Sequence, residues 1–207
     1  MEFPSHENQY LVTEVFTAPP QKLHLMLIEG AIRFAERARQ HWRDNHPEQA
    51  TEALLRAQDM GRRLAELFRT LSMLSKPTIA RVQGAALGGG TGLTAACDMA
   101  VASSDAQFST SEVRFGIIPS AISPYVLRRL GDRAARELML TGERFGAVSA
   151  LRLGLVNYVV PAAELDAKVD ERVGELLKGA PHAQQRIKLA QAIAQLQAIQ
   201  RLRKHTH

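Results

Sequence analysis

Cysteine is nearly absent from this sequence: Cys97 is the one example in 207 residues. No intrachain disulfide can form, and Cys97 is expected to act as a small buried hydrophobe in a reducing compartment. No apolar run is long enough to span a bilayer. The opening MEFPSHENQY lacks the basic start and apolar core of a signal peptide. The expectation is therefore a cytoplasmic protein with no membrane partner. Low-complexity tracts and internal repeats are also missing. The arginines are scattered along helical segments without interleaved aromatics, which argues against a nucleic-acid groove. His24, His41, His46 and His182 show no ligand-like grouping, so no metal is expected.

What is present is an ordinary globular profile, 45% apolar and 23% charged, with a net charge of +5. The charge is uneven. Residues 1–58 carry 6 Lys/Arg and 8 Asp/Glu, and the rest carries 20 and 13. A basic half is compatible with a phosphorylated cofactor such as coenzyme A, but does not argue for one.

The chain changes character near residue 60. Residues 1–19 read as irregular and lead into Pro19-Pro20. Residues 20–43 read as an amphipathic helix, with Leu23, Met26, Leu27, Ala31, Phe34 and Ala38 at three- and four-residue steps. Asn45-His46-Pro47 breaks it, and Pro47 suits the first turn of a second helix over 47–58. The two should form a helical hairpin. A third helix over 60–75 ends at Lys76-Pro77.

Short strands and helices then alternate, which indicates an α/β unit. Strands are expected at 78–82, 99–102, 107–110 and 156–160. Helices are expected at 91–97, 121–130, 133–141, 147–153, 162–178 and 181–203. Gly131, Gly142 and Gly154 stand at or just past helix ends.

Two features carry chemistry. Gly84-Ala85-Ala86-Leu87-Gly88-Gly89-Gly90 follows a strand and opens a helix. Glycines let a ligand approach the backbone, and free amides at a helix start suit a phosphate or a developing oxyanion. Neither GxGxxG spacing nor a following Lys-Ser/Thr is present, so the dinucleotide and phosphate-loop patterns do not fit. Taken alone, the glycines equally describe a tight turn without chemistry. The second feature is Glu112, in Ser111-Glu112-Val113-Arg114. Among strand-like apolar residues its carboxylate would be desolvated and raised in pKa toward acid/base use. The competing reading is an exposed glutamate paired with Arg114 or another arginine.

Several segments in order now carry a resemblance. They are Lys76-Pro77-Thr78-Ile79-Ala80, the glycine-rich turn, Cys97-Asp98-Met99-Ala100, Ala106-Gln107-Phe108 and Ser111-Glu112-Val113-Arg114. Gly116-Ile117-Ile118-Pro119, Leu140-Thr141-Gly142-Glu143 and Ala150-Leu151-Arg152-Leu153-Gly154-Leu155-Val156 continue the series. Residues 59–178 resemble the C-terminal half of the enoyl-CoA hydratase/isomerase (crotonase) family, closest to its methylglutaconyl-CoA hydratase-like branch. The resemblance implies an α/β fold: a partial crotonase-like spiral (ββα) core, with the helical hairpin before it and helices after it. It implies an acyl-CoA substrate, no separate cofactor, and association into trimers or hexamers. Gly89 would donate an N–H to the thioester oxygen, and Glu112 would be the acid/base. Ala85, Leu87, Gly88, Gly90, Gly92, Phe108, Ile118 and Pro119 would shape or line the substrate site. Many hydratases of the family carry a second glutamate where this chain has Gly92, so one carboxylate must serve alone. Hydration, isomerisation and decarboxylation all stay open. Nothing before residue 59 resembles the family's N-terminal half, which supplies the second oxyanion donor.

Asn8-Gln9-Tyr10, Val15-Phe16-Thr17-Ala18-Pro19-Pro20-Gln21-Lys22-Leu23, residues 25–34 and Ala53-Leu54-Leu55-Arg56-Ala57-Gln58-Asp59 carry a second resemblance, to the flagellar secretion chaperones (FliS). That family is a helical bundle that holds a segment of flagellin. The expected organisation is a helical hairpin over 1–58 and an acyl-CoA domain over 59–207. The alternatives to an active enzyme are a flagellin-binding module and a catalytically inactive fusion.

Overall fold

The computed structural model describes residues 33–204, with side chains to residue 194. The expected irregular start, the Pro19-Pro20 break and the first part of the 20–43 helix lie outside the described residues. Compaction divides the chain into two units that meet between Glu66 and Leu67.

In the first unit, residues 33–43 are helical (α1) and end in a tight turn at 44–46. Asn45 adopts φ 60°, a left-handed conformation that asparagine tolerates. The His46 N–H closes the turn on the His41 carbonyl at 2.8 Å. Pro47 then starts α2, Pro47–Met73. Ala38, Ala50 and Ala53 are buried. The Phe34 ring of α1 takes the guanidiniums of both Arg37 and Arg56, each 5.6 Å from its centroid. Because Arg56 belongs to α2, the two helices lie side by side, and the expected hairpin forms.

Helix α2 corrects the sequence reading. The expected helices 47–58 and 60–75 are one continuous helix, and the boundary at 58/59 lies inside it. The Gln58–Gly61 stretch holds no proline. A lone Gly61 weakens a helix by only about 1 kcal/mol relative to alanine. Arg63 pairs with Asp59 across the supposed junction at 2.9 Å.

The second unit distributes successive strands between two sheets. Strands β1 (Ile79–Val82), β3 (Met99–Ser103) and β6 (Tyr158–Val160) form one parallel sheet in the order β1-β3-β6. Strands β2 (Ala85–Leu87), β4 (Gln107–Ser109) and β5 (Phe145–Gly146) form the other. β2 and β4 run parallel, with Leu87 opposite Ser109, and β5 is antiparallel to β4. Helix α3 (Gly89–Ala96) follows β2, and α4 (Ser123–Thr141) follows β4, so the unit repeats strand, strand, helix. Helices α5 (Ala147–Arg152), α6 (Leu165–Leu177) and α7 (Pro181–Lys204) complete it.

Two short strands were hidden in the sequence. β2 lies inside the glycine-rich segment and β5 spans two residues, both too short for an alternation to register. The expected pair of helices over 121–130 and 133–141 forms, divided within α4 at Gly131, whose φ of 75° and ψ of 166° are not helical.

Phe68, Val101, Phe108, Ile122, Val126 and Leu165 are the large buried side chains of this unit. Phe108 stacks on Phe145 with centroids 5.7 Å apart. Two polar ties fasten the α3 end. Arg129 of α4 donates to the carbonyls of Ala95, at 3.1 Å, and Cys97, placing a cation on the orphan carbonyls of the last turn of α3. Asp98 accepts the Thr78 N–H at 2.7 Å and its hydroxyl at 2.9 Å, and pairs with Lys188 of α7 at 2.6 Å. Cys97 is buried, and desolvation pushes its thiol pKa up, which keeps it unreactive.

Candidate active site

The glycine-rich turn sets the site. β2 ends at Leu87, and Gly88 takes φ 52° and ψ −116°, a conformation open to glycine but strained for other residues. Its N–H donates to the Ser109 carbonyl at 2.7 Å, which fixes the turn to β4. Gly89 is the first residue of α3 and is buried. The opening amides of a helix have no intrahelical acceptor, and among the described residues no acceptor is bonded to the Gly89 N–H.

Glu112 arrives from the end of β4. It lies just past the strand expected at 107–110, in a 3₁₀ turn, Ser111–Phe115. Gly116 at φ 70° ends the turn, and the Ile117 N–H closes back on the Glu112 carbonyl at 3.1 Å. This turn brings the carboxylate against Gly88: a Cβ built on Gly88 would lie 3.4 Å from Oε1 of Glu112 and 3.7 Å from the Ser111 Oγ. The other oxygen, Oε2, is buried without a hydrogen-bond partner. Desolvation raises the Glu112 pKa above the usual carboxylate range, opposed by a smaller effect of its own backbone amide. The alternative of an arginine-paired surface glutamate is not what the structure holds.

The other residues expected at the site scatter. Ala85 and Leu87 share one face of β2, the first exposed and the second half-buried. Gly90 approaches Ala86, with 3.5 Å between a built Cβ and that methyl. Gly92 turns toward the core. A Cβ there would lie 2.2 Å from the Ile122 Cγ2 and 3.1 Å from the Phe68 ring, and Ile122 is 2% exposed. Phe108 is 0% exposed and packed on Phe145, so it belongs to the core and not to a pocket wall. Ile118 is 80% exposed. Pro119 is half-buried, and its carbonyl accepts the Ser123 N–H at 2.9 Å and hydroxyl at 2.6 Å.

Sequence reasoning passed over the polar residues between these two groups. Thr91, Ser109 and Thr110 are buried, and each hydroxyl bonds to a backbone carbonyl. The signal available was the run Ser109-Thr110-Ser111 at the end of an apolar strand, directly before the glutamate. Among the described residues, no three His, Cys, Asp or Glu side chains group as a metal site, and no helix is long and apolar enough to cross a membrane.

A helix mouth of glycines lies beside a desolvated carboxylate, on alternating strand-strand-helix turns, an arrangement suited to stabilising a developing oxyanion. Residues 47–206 match the family model described as enoyl-CoA hydratase/isomerase, and the chain belongs to that family. The short-chain-enoyl-CoA hydratase of Clostridium acetobutylicum is 42% identical over 119 residues, 57% of this chain and 46% of that protein. The crotonyl-CoA hydratase of Syntrophomonas wolfei is 39% identical over 124 residues, 59% of this chain and 48% of that one. The crystal structure of an enoyl-CoA hydratase from Shewanella pealeana superimposes with a TM-score of 0.62 at 40% identity, covering 65% of this chain and 50% of that one. The chain thus spans about half the length of the curated relatives it matches. Residues 4–81 also match the model described as flagellar protein FliS.

Proposed function

We propose that this chain carries out hydratase- or isomerase-type chemistry on an acyl-CoA thioester, with Gly89 as oxyanion donor and Glu112 as acid/base. One observation carries the reading: a carboxylate with a buried, unpartnered oxygen rests beside the residue that precedes a helix-opening amide. Hydration then runs as follows. Glu112 takes a proton from water as the water oxygen bonds to the β carbon of the enoyl group. The C=C electron pair moves through the α carbon onto the thioester oxygen, which the Gly89 N–H stabilises. The enolate collapses, and the α carbon takes the proton held by Glu112. The sum is one water added, with the carboxylate restored.

The raised pKa of Glu112 suits both halves of this cycle, because desolvation makes the carboxylate a better proton acceptor and the protonated acid still gives its proton back. Gly92 supplies no second carboxylate, and Ile122 occupies the space where one would begin. Isomerisation, in which Glu112 moves a proton between carbons, uses the same two groups. Association into trimers or hexamers, implied by the family resemblance, is part of this reading and is tested by light scattering.

The test is loss of enone absorbance with crotonyl-CoA and 3-methylglutaconyl-CoA. Turnover that disappears in Glu112→Gln supports the proposal. No turnover of any enoyl-CoA by folded protein overturns it.

The match of residues 4–81 to the flagellar family favours a second reading, a helical surface for a flagellin segment. Trp42, Leu54 and Leu55 are exposed on the first unit. Capture of a flagellin C-terminal peptide that fails in Leu54→Asp supports this reading, and no capture by the wild type rejects it.

A further inference from the structure

The Gly89 amide and the Glu112 carboxylate come from different elements, a helix start and a 3₁₀ turn. Something must hold one relative to the other. Thr91 lies in the first turn of α3 and is 0% exposed. Its Oγ1 donates to the Ala86 carbonyl of β2 at 2.6 Å and accepts the Ser109 N–H of β4 at 3.2 Å. The Ser109 carbonyl, 3.0 Å from the same Oγ1, already accepts the Gly88 N–H at 2.7 Å.

Ser109 therefore bonds to the residues on both sides of the glycine pair Gly89-Gly90. It also stands three positions before Glu112. The remaining hydroxyls anchor this strand end outward: Ser109 Oγ on the Gly142 carbonyl at 3.0 Å and Thr110 Oγ1 on the Leu138 carbonyl at 2.9 Å.

We propose that Thr91 is a positioning residue: its hydroxyl, bridging β2 and β4, keeps the amide end of α3 in register with the turn that presents Glu112. The proposal rests on the reading of Gly89 and Glu112 given above. A valine has nearly the shape of threonine but neither donates nor accepts. In Thr91→Val the Ala86 carbonyl and the Ser109 N–H lose the Thr91 hydroxyl and keep only the β2–β4 pairing, so the strand end is held to α3 less tightly. Serine keeps the hydroxyl and loses one methyl. A displacement of about 1 Å between reacting groups lowers rates by on the order of 10²-fold.

Two readouts on Thr91→Val and Thr91→Ser test this. The first is the Glu112 carboxyl titration, followed by carboxyl ¹³C shifts, which needs no substrate. The second is kcat and KM on crotonyl-CoA. In Thr91→Val the Glu112 midpoint is expected to fall toward the ordinary carboxylate range as water reaches it. Over the same change kcat falls roughly 10–100-fold, with KM nearly unchanged. Thr91→Ser is expected to keep the wild-type titration and most of kcat. If Thr91→Val does not fold, Thr91→Ala takes its place in the same comparison. A folded Thr91→Val with wild-type titration and kcat overturns the proposal, as does a Thr91→Ser as impaired as Thr91→Val. If the wild type turns over no enoyl-CoA, the functional reading fails on its own, and the carboxyl titration still decides the role of Thr91.

Discussion

The Glu112 carboxylate lies beside Gly88, its Oε1 3.4 Å from where a Cβ on that residue would stand. Gly88 also adopts φ 52° and ψ −116°. Both facts act on one substitution. Gly88→Ala is expected to destabilise the protein by about 1–3 kcal/mol through backbone strain. Relief of that strain by a shift of the turn is expected to move the neighbouring carboxylate and lower kcat by on the order of 10²-fold. Denaturant unfolding and enone kinetics on the same preparation check the two parts separately.

The raised pKa of Glu112 also makes a statement about stability. The folded state holds this proton to a higher pH than the unfolded chain does, whose carboxyl titrates near the ordinary value of 4.5. Above that value the unfolded chain binds fewer protons, so the Glu112 contribution to stability falls as pH rises to the folded pKa and is flat beyond it. Glu112→Gln removes this penalty. The variant is expected to melt higher than the wild type at pH 8, with the gap closing below pH ~4. Thermal melts of both proteins across that range check it. A Glu112→Gln that melts lower at pH 8 contradicts the desolvated carboxylate.

Gly92 and Ile122 form a coupled pair, because a Cβ at 92 would lie 2.2 Å from the Ile122 Cγ2. Gly92→Ala is expected to cost about 1–3 kcal/mol by overpacking. Ile122→Ala is expected to cost about 2–5 kcal/mol by leaving a cavity. The double variant should lose clearly less than the sum, since each change makes room for or fills the other. Urea unfolding of the three variants measures the coupling, and strict additivity would show that the two residues do not share this space.

Much of this site was legible in the sequence because its parts are glycines and one acid. A turn that needs a positive φ and close backbone approach selects glycine, so Gly88 and Gly89 stood out, and so did Glu112. The same reading failed wherever side-chain identity does not report direction. Phe108 reads equally as a pocket wall or a core residue, and only its stacking on Phe145 decides for the core. Gly92 carried a family expectation, yet its Cα faces Ile122. The 3₁₀ turn that presents Glu112 was not legible, because it depends on one αL residue, Gly116, that no periodicity marks. The sequence pattern divides the long α2 near residue 60, although no residue there stops a helix.

Lys188 and Asp98 tie α7 to the start of β1 and β3, where Asp98 also accepts both polar hydrogens of Thr78. The pair is mostly buried, so Lys188→Ala leaves Asp98 short of its cation in a poorly hydrated place. The expected loss is about 1.5–3 kcal/mol, with KM and kcat on crotonyl-CoA unchanged because the tie lies outside the site. Calorimetric melting beside the kinetic assay checks both. A drop in kcat without a drop in stability would place Lys188 in the chemistry instead.

The central claim is that Glu112 carries a proton to and from the acyl α carbon. Its most direct test is solvent exchange in D₂O, with deuterium at the α position of a saturated or enoyl-CoA thioester followed by mass spectrometry. The account predicts incorporation by the wild type and none above background by a folded Glu112→Gln. Incorporation by Glu112→Gln at the wild-type rate, or none by the wild type, would contradict it.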